Sequence, residues 1–94
     1  MKILYMITYR YRESLGEEDL RTLTKKFVEF GTAPGTFAQY ERLDGKGGFV
    51  LQEMTVDPQL VYENLLHYAP WIEFEVFPIT KMEDAFPVIQ RVYG

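Results

Sequence analysis

The chain predicts an α+β fold in which a four-stranded antiparallel sheet carries two helices on one face, and three observations point to it. Two runs of strand-forming residues, Thr36 to Leu43 and Phe49 to Met54, flank Asp44-Gly45-Lys46-Gly47-Gly48, whose glycines accept the positive φ values that a tight reversal needs. A strand and then a helix pattern precede this hairpin, and a helix and then a strand pattern follow it, giving the order β-α-β-β-α-β. The first strand is apolar on both of its faces, as a central strand is. Together these features describe a ferredoxin-like arrangement.

In order, Lys2 to Tyr11 reads KILYMITYRY, with Ile3, Tyr5, Ile7 and Tyr9 on one face and Leu4, Met6 and Thr8 on the other. Ser14 is the expected cap of a helix whose start is marked by Glu17, Glu18 and Asp19, acids placed where the helix dipole favours them. Leu20, Leu23, Phe27 and Phe30 form its apolar stripe, and Gly31, Pro34 and Gly35 end it. Asp57-Pro58 starts a second helix that runs to about Tyr68, with Leu60, Val61, Leu65 and Tyr68 as the buried stripe and Pro70 preventing continuation. Trp71 to Lys81 then alternates as a strand, and Pro78, which cannot donate to a ladder, places it at an edge or beside a bulge. Beyond it, Phe86, Ile89 and Val92 keep a helical rhythm that Pro87 interrupts, which predicts a short helix or turn lying against another surface.

Ninety-four residues make one domain, here 1–94 with a short C-terminal extension at 82–94. A domain of this size buries only about 60 to 65% of the surface of its unfolded chain. Hydrophobic residues at 47% and aromatics at 16% are more than so small a body readily hides, which leans toward self-association. Ten basic against fourteen acidic residues leave a net charge of −4, which disfavours nucleic-acid phosphates and anionic lipid as partners. The lack of cysteine excludes disulfides, thiolate nucleophiles, iron–sulfur ligation and cysteine-based zinc sites. The opening residues read as a strand and not a signal peptide, and no apolar run approaches the roughly 20 residues that span a bilayer. A cytoplasmic protein with no membrane or nucleic-acid partner is expected.

The sheet has one apolar face too many. Tyr5, Ile7, Phe49 and Leu51 cannot share the helix-covered side with Leu4, Met6, Val50 and Met54, because successive residues point opposite ways. A second copy packing sheet against sheet supplies the missing layer, so a homodimer is expected.

Four features together resemble a known family: the opening MKILYMITYRY, the hairpin D-G-x-G-G-F with a Glu four residues on (Asp44, Gly45, Gly47, Gly48, Phe49, Glu53), Trp71 after the second helix, and the closing F-E-V-x-P-I strand from Phe74 to Ile79. The chain is similar over nearly its whole length to the short proteins classed as domain of unknown function 3303. The resemblance implies a dimeric α/β barrel of two ferredoxin-like protomers, as in the antibiotic-biosynthesis monooxygenase and EthD-like groups, with no established activity. This chain has Tyr40-Glu41 where the family often has a Trp-His pair, a departure that argues against histidine-based chemistry.

Glu53 shares its parity with Phe49 and Leu51, so in a dimer interior it would be desolvated and suited to accept a proton; the plainer reading is a rim carboxylate paired with Arg10 or Arg42. Tyr5, Tyr9, Tyr40 and Trp71 could line a pocket for a flat aromatic molecule, or serve as ordinary core and interface. His67, the only histidine, sits near a helix C-terminus, where a structural role suffices; Glu63 is its one nearby partner, and no metal site is expected. Gly45 to Gly48 lacks the spacing of a phosphate-binding loop, with Tyr40 and Gly47 at the positions that would need Gly and Ser or Thr. Lys46 to Val50 likewise falls short of an RNA-recognition motif. No cofactor is called for. Two functions remain open: binding of a small apolar or aromatic compound between the sheets, with monooxygenase-like turnover that needs no cofactor, or a non-catalytic structural or regulatory homodimeric interaction module.

Overall fold

The structure, a computed structural model, describes residues 3–54 and 57–94; Met1 and Lys2, with which the first strand was expected to open, lie outside the described residues. Strand β1 (Ile3–Tyr11) leads to helix α1 (Glu17–Phe30), the hairpin strands β2 (Thr36–Glu41) and β3 (Gly47–Met54), helix α2 (Pro58–Leu66), strand β4 (Ile72–Ile79) and helix α3 (Met82–Tyr93). The four strands form one antiparallel sheet in the order β2-β3-β1-β4. The doubly apolar β1 is central, and β4, with Pro78, is an edge strand, as expected.

The register sorts the two faces. Ile7 stands opposite Val50 on β3 and Val76 on β4, and these point to the helices; Ile7, Val50, Ala33 and Val61 of α2 form one buried cluster. Leu23 of α1, Tyr68 and Ile72 form a second. On the far face Met6 stands opposite Leu51 and Phe77, while Thr8 stands opposite Phe49 and Glu75. The grouping expected from the sequence is therefore corrected: Tyr5 and Ile7 share the helix side with Val50 and Met54, and Leu4 and Met6 share the open side with Phe49 and Leu51. Parity along one strand is set by the chain, but which parities match across strands is set by register.

Local chemistry moves some boundaries. Helix α1 starts at Glu17 with Gly16 as its cap residue, not Ser14; Asp19 Oδ2 accepts from the Gly16 N–H at 2.9 Å, and Arg21 bonds Glu17 and Glu18 at 2.7 Å each. Its end is satisfied by α2 and the turn that follows. Asn64 Nδ2 donates to the Gly31 carbonyl at 3.3 Å and Tyr68 Oη donates to the same oxygen at 2.6 Å, covering an acceptor that the helix leaves without an internal partner. Helix α2 stops at Leu66, short of Tyr68, and turns carry the chain to β4; Asp57 caps its start by accepting from the Gln59 N–H at 2.9 Å. Phe37 is an extra residue between the pairs Thr36–Gln52 and Ala38–Leu51, a bulge that turns its ring outward.

Helix α3 departs from expectation. It runs unbroken from Met82 to Tyr93 with Pro87 inside it, although that proline has no N–H to bond back one turn. None of its residues is buried, and Phe86, Val88, Ile89 and Val92 are exposed. The molecule measures 54 × 30 × 17 Å with a radius of gyration of 15.9 Å, against about 12 Å for a compact body of this length. Among the described residues no helix is long and apolar enough to cross a membrane.

Candidate functional site

A cleft of about 280 Å³ opens between α1 and the helix side of the sheet. Its walls are apolar: Leu20, Leu23 and Phe27 come from α1, and Ile7, Ile72 and Phe74 from the sheet. Leu20 and Phe27 of the predicted stripe remain partly exposed because they face this space and not a filled core. The cleft lies within one protomer, on the side opposite to the sheet face where a pocket was expected.

The polar end is built from alternate residues of two strands. Tyr9 and Tyr11 of β1 and Gln39 and Glu41 of β2 all point to the helix side, with β3 between them. Tyr9 Oη donates to Glu41 Oε2 at 2.9 Å and Tyr11 Oη to Glu41 Oε1 at 2.8 Å. Gln39 Nε2 reaches Tyr9 Oη at 3.4 Å, and the two phenol rings meet edge to face, with centroids 6.1 Å apart. The crossing is possible because β3 carries Gly48 beneath it. A Cβ there would lie 2.7 Å from Tyr9 Oη and 2.1 Å from the Tyr40 carbonyl oxygen.

Both phenols are held in the protonated, donating form. Burial lifts Tyr9 above the usual phenol value of 10.0; the Gln39 amide pulls against that, and Glu41 adds to it. Tyr11 is raised further, by burial first and then by its hydrogen bond to Glu41. The carboxylate at this end can accept further hydrogen bonds or a proton, and the rings beside it offer flat apolar contact.

Of the residues singled out in the sequence, the structure brings Tyr9 alone to this cleft. Tyr5 is half-buried on the helix side, opposite Gln52 and Pro78. Trp71 packs against the cluster of Leu23, Tyr68 and Ile72. Tyr40 and Glu53 lie on the open sheet face: the Tyr40 ring is 5.2 Å from that of Phe49, and Glu53 stands half-buried opposite Leu4. Arg10 stands 3.9 Å from Glu13, and Arg42 bonds Asp44, so both cations proposed for the rim have carboxylates of their own. His67 stacks on Phe30 with centroids 3.6 Å apart, and among the described residues no group of three acidic or histidine side chains could hold a metal.

The sequence singles out neither Tyr11 nor Gln39, and it marks Glu41 only as a departure from the family's Trp-His pair. Their signal was there: Tyr-x-Tyr on one strand and Gln-x-Glu on another, with a glycine on the strand that separates them.

Fold and cleft define a class of small α+β protein whose candidate site lies between a helix and its own sheet. Within that class, the chain belongs to the family described as domain of unknown function 3303, whose sequence profile matches residues 3–93. No curated protein matches it significantly.

Proposed function

We propose that this is a ferredoxin-like, homodimeric, cytoplasmic protein that binds a small apolar or aromatic compound, and that the compound enters the cleft beneath α1. The observation that carries the reading is a largely apolar space of about 280 Å³ with a carboxylate and its two phenol partners converging at one end. That volume is near the lower end of the roughly 300–1,000 Å³ of ligand pockets, and about 150 Å³ suffices for one benzene ring. A one-ring or two-ring body fits. Glu41 is the group placed to take a proton from such a compound, so turnover without a cofactor, as in monooxygenase-like relatives of this architecture, would run through Glu41 and not through Glu53.

The test is a cleft-filling substitution. Leu20→Trp places an indole in the space from the partly exposed side of α1, where folding is least disturbed. Thermal shifts produced by one-ring aromatic compounds in the wild type should disappear in Leu20→Trp at unchanged helix content. Shifts that persist would remove the cleft from the proposal.

A second reading, the non-catalytic interaction module, is supported by the open sheet face and by α3. Leu4, Met6, Phe49, Leu51 and Phe77 share the face turned away from the two helix-side core clusters, and Phe86, Val88, Ile89 and Val92 of α3 are exposed. Ligand binding and assembly use opposite faces of the sheet, so the two readings are compatible.

A further inference from the structure

Resting on the cleft reading above, we propose that the ligand is a cationic amine with a small aromatic body, its ammonium group held by Glu41 between Tyr9 and Tyr11.

The hydrogen-bond inventory of the cleft leads there. Glu41 is the one charged side chain among the described lining residues, and no lysine or arginine joins it. Most side-chain donors around the space, the Thr32 hydroxyl and the second Gln39 N–H excepted, are committed to protein acceptors. Tyr9 and Tyr11 give their protons to Glu41, Gln39 gives one to Tyr9, Thr24 Oγ1 gives its proton to the Leu20 carbonyl at 2.8 Å, and Asn64 and Tyr68 give theirs to Gly31. What faces the cleft is an excess of acceptors. Each Glu41 oxygen has used one lone pair on a phenol and keeps another, and the Tyr11 oxygen keeps its own.

A ligand that brings only acceptors would leave those oxygens desolvated and unmatched, and a carboxylate or phosphate would add repulsion by Glu41. An ammonium brings three donors and the opposite charge, and its bonds to a carboxylate are of the stronger, charge-assisted kind. Phe27 and Phe74, also in the lining, supply flat apolar wall for the body of the ligand. The net charge of −4 also draws cations toward the molecule as a whole.

Three probes of one size separate the possibilities: 2-phenylethylamine, 2-phenylethanol and 3-phenylpropionate, titrated into the full chain at neutral pH by calorimetry or by amide chemical shifts. The amine should bind at least about tenfold more tightly than the alcohol, the scale of one charge-assisted hydrogen bond, and the carboxylate most weakly. Glu41→Gln should remove the preference, bringing the amine down to the level of the alcohol measured on the same variant. If amine and alcohol bind equally, or Glu41→Gln preserves the preference, the proposed ligand class is wrong, Glu41 serves only to lash β2 to β1, and the cleft reading stands. If none of the three binds, both fall. Should Glu41→Gln fail to fold, the ranking on the wild type decides by itself.

Discussion

Tyr11 on β1 and Glu41 on β2, thirty residues apart and separated in the sheet by β3, are joined by a hydrogen bond of 2.8 Å. The bond crosses a strand because β3 carries Gly48 on that face, where a Cβ would meet the Tyr9 hydroxyl. It holds the outer hairpin strand to the centre of the sheet and also sets the polar end of the cleft.

Burial of the phenols, with the bonds to Glu41 adding to it at Tyr9 and Tyr11, makes stability depend on alkaline pH. The folded phenols of Tyr9, Tyr11 and Tyr68 are raised above 10.0, so the folded chain keeps protons that the unfolded chain releases. Their contribution is fully present below pH 10 and is lost as pH rises from 10 through the raised folded values. Urea unfolding should show a midpoint that falls above pH 10, and Tyr11→Phe should flatten that fall. An unchanged slope in Tyr11→Phe would show that Tyr11 carries none of it.

Gly48→Ala should cost about 1–3 kcal/mol, the range for overpacking, since its Cβ meets backbone at Tyr40 as well as the Tyr9 ring. Denaturant unfolding measures the loss. A stability within 0.5 kcal/mol of wild type, roughly the range of ordinary surface substitutions, would mean that the strands separate freely at this point.

Gln52 is fully buried, and its amide is half satisfied: Nε2 donates to the Pro34 carbonyl at 2.6 Å, while Oε1 has no partner among the described residues. Losing the bond costs about 0.5–1.5 kcal/mol, and relieving an orphaned buried acceptor returns about 1–3. Gln52→Met, of similar length, should therefore be neutral or stabilising in a urea melt. A loss of more than about 2 kcal/mol would show that Oε1 is satisfied, as by a buried water.

The open sheet face predicts a dimer in sedimentation equilibrium at micromolar concentration. Phe77→Asp, on the edge strand and partly exposed, should give a folded monomer with an unchanged circular dichroism spectrum. A wild-type monomer, or a Phe77→Asp dimer, would count against assembly through this face.

Much of the fold was legible because local chemistry dictates it. The doubly apolar Ile3–Tyr11, the glycines after Asp44, Asp57-Pro58 and the edge proline Pro78 each settle an element from its own neighbourhood. Pro87 misled because a helix can keep its course through one missing hydrogen bond. The candidate site was harder. Tyr9 stood out, but Glu41 was noticed only as a departure from a family pair, and Tyr5, Tyr40, Trp71 and Glu53 were grouped with Tyr9 on the strength of residue type.

What the sequence determined by itself was the order of the strands and helices, the central place of β1 and the surplus of apolar surface. Those follow from periodicity, turn residues and composition, which any short stretch displays. Which side of the sheet each aromatic faces, and that a carboxylate from β2 meets two phenols from β1, were decided only in the folded molecule. Register across strands fixes those meetings, and register is a property of the assembled sheet.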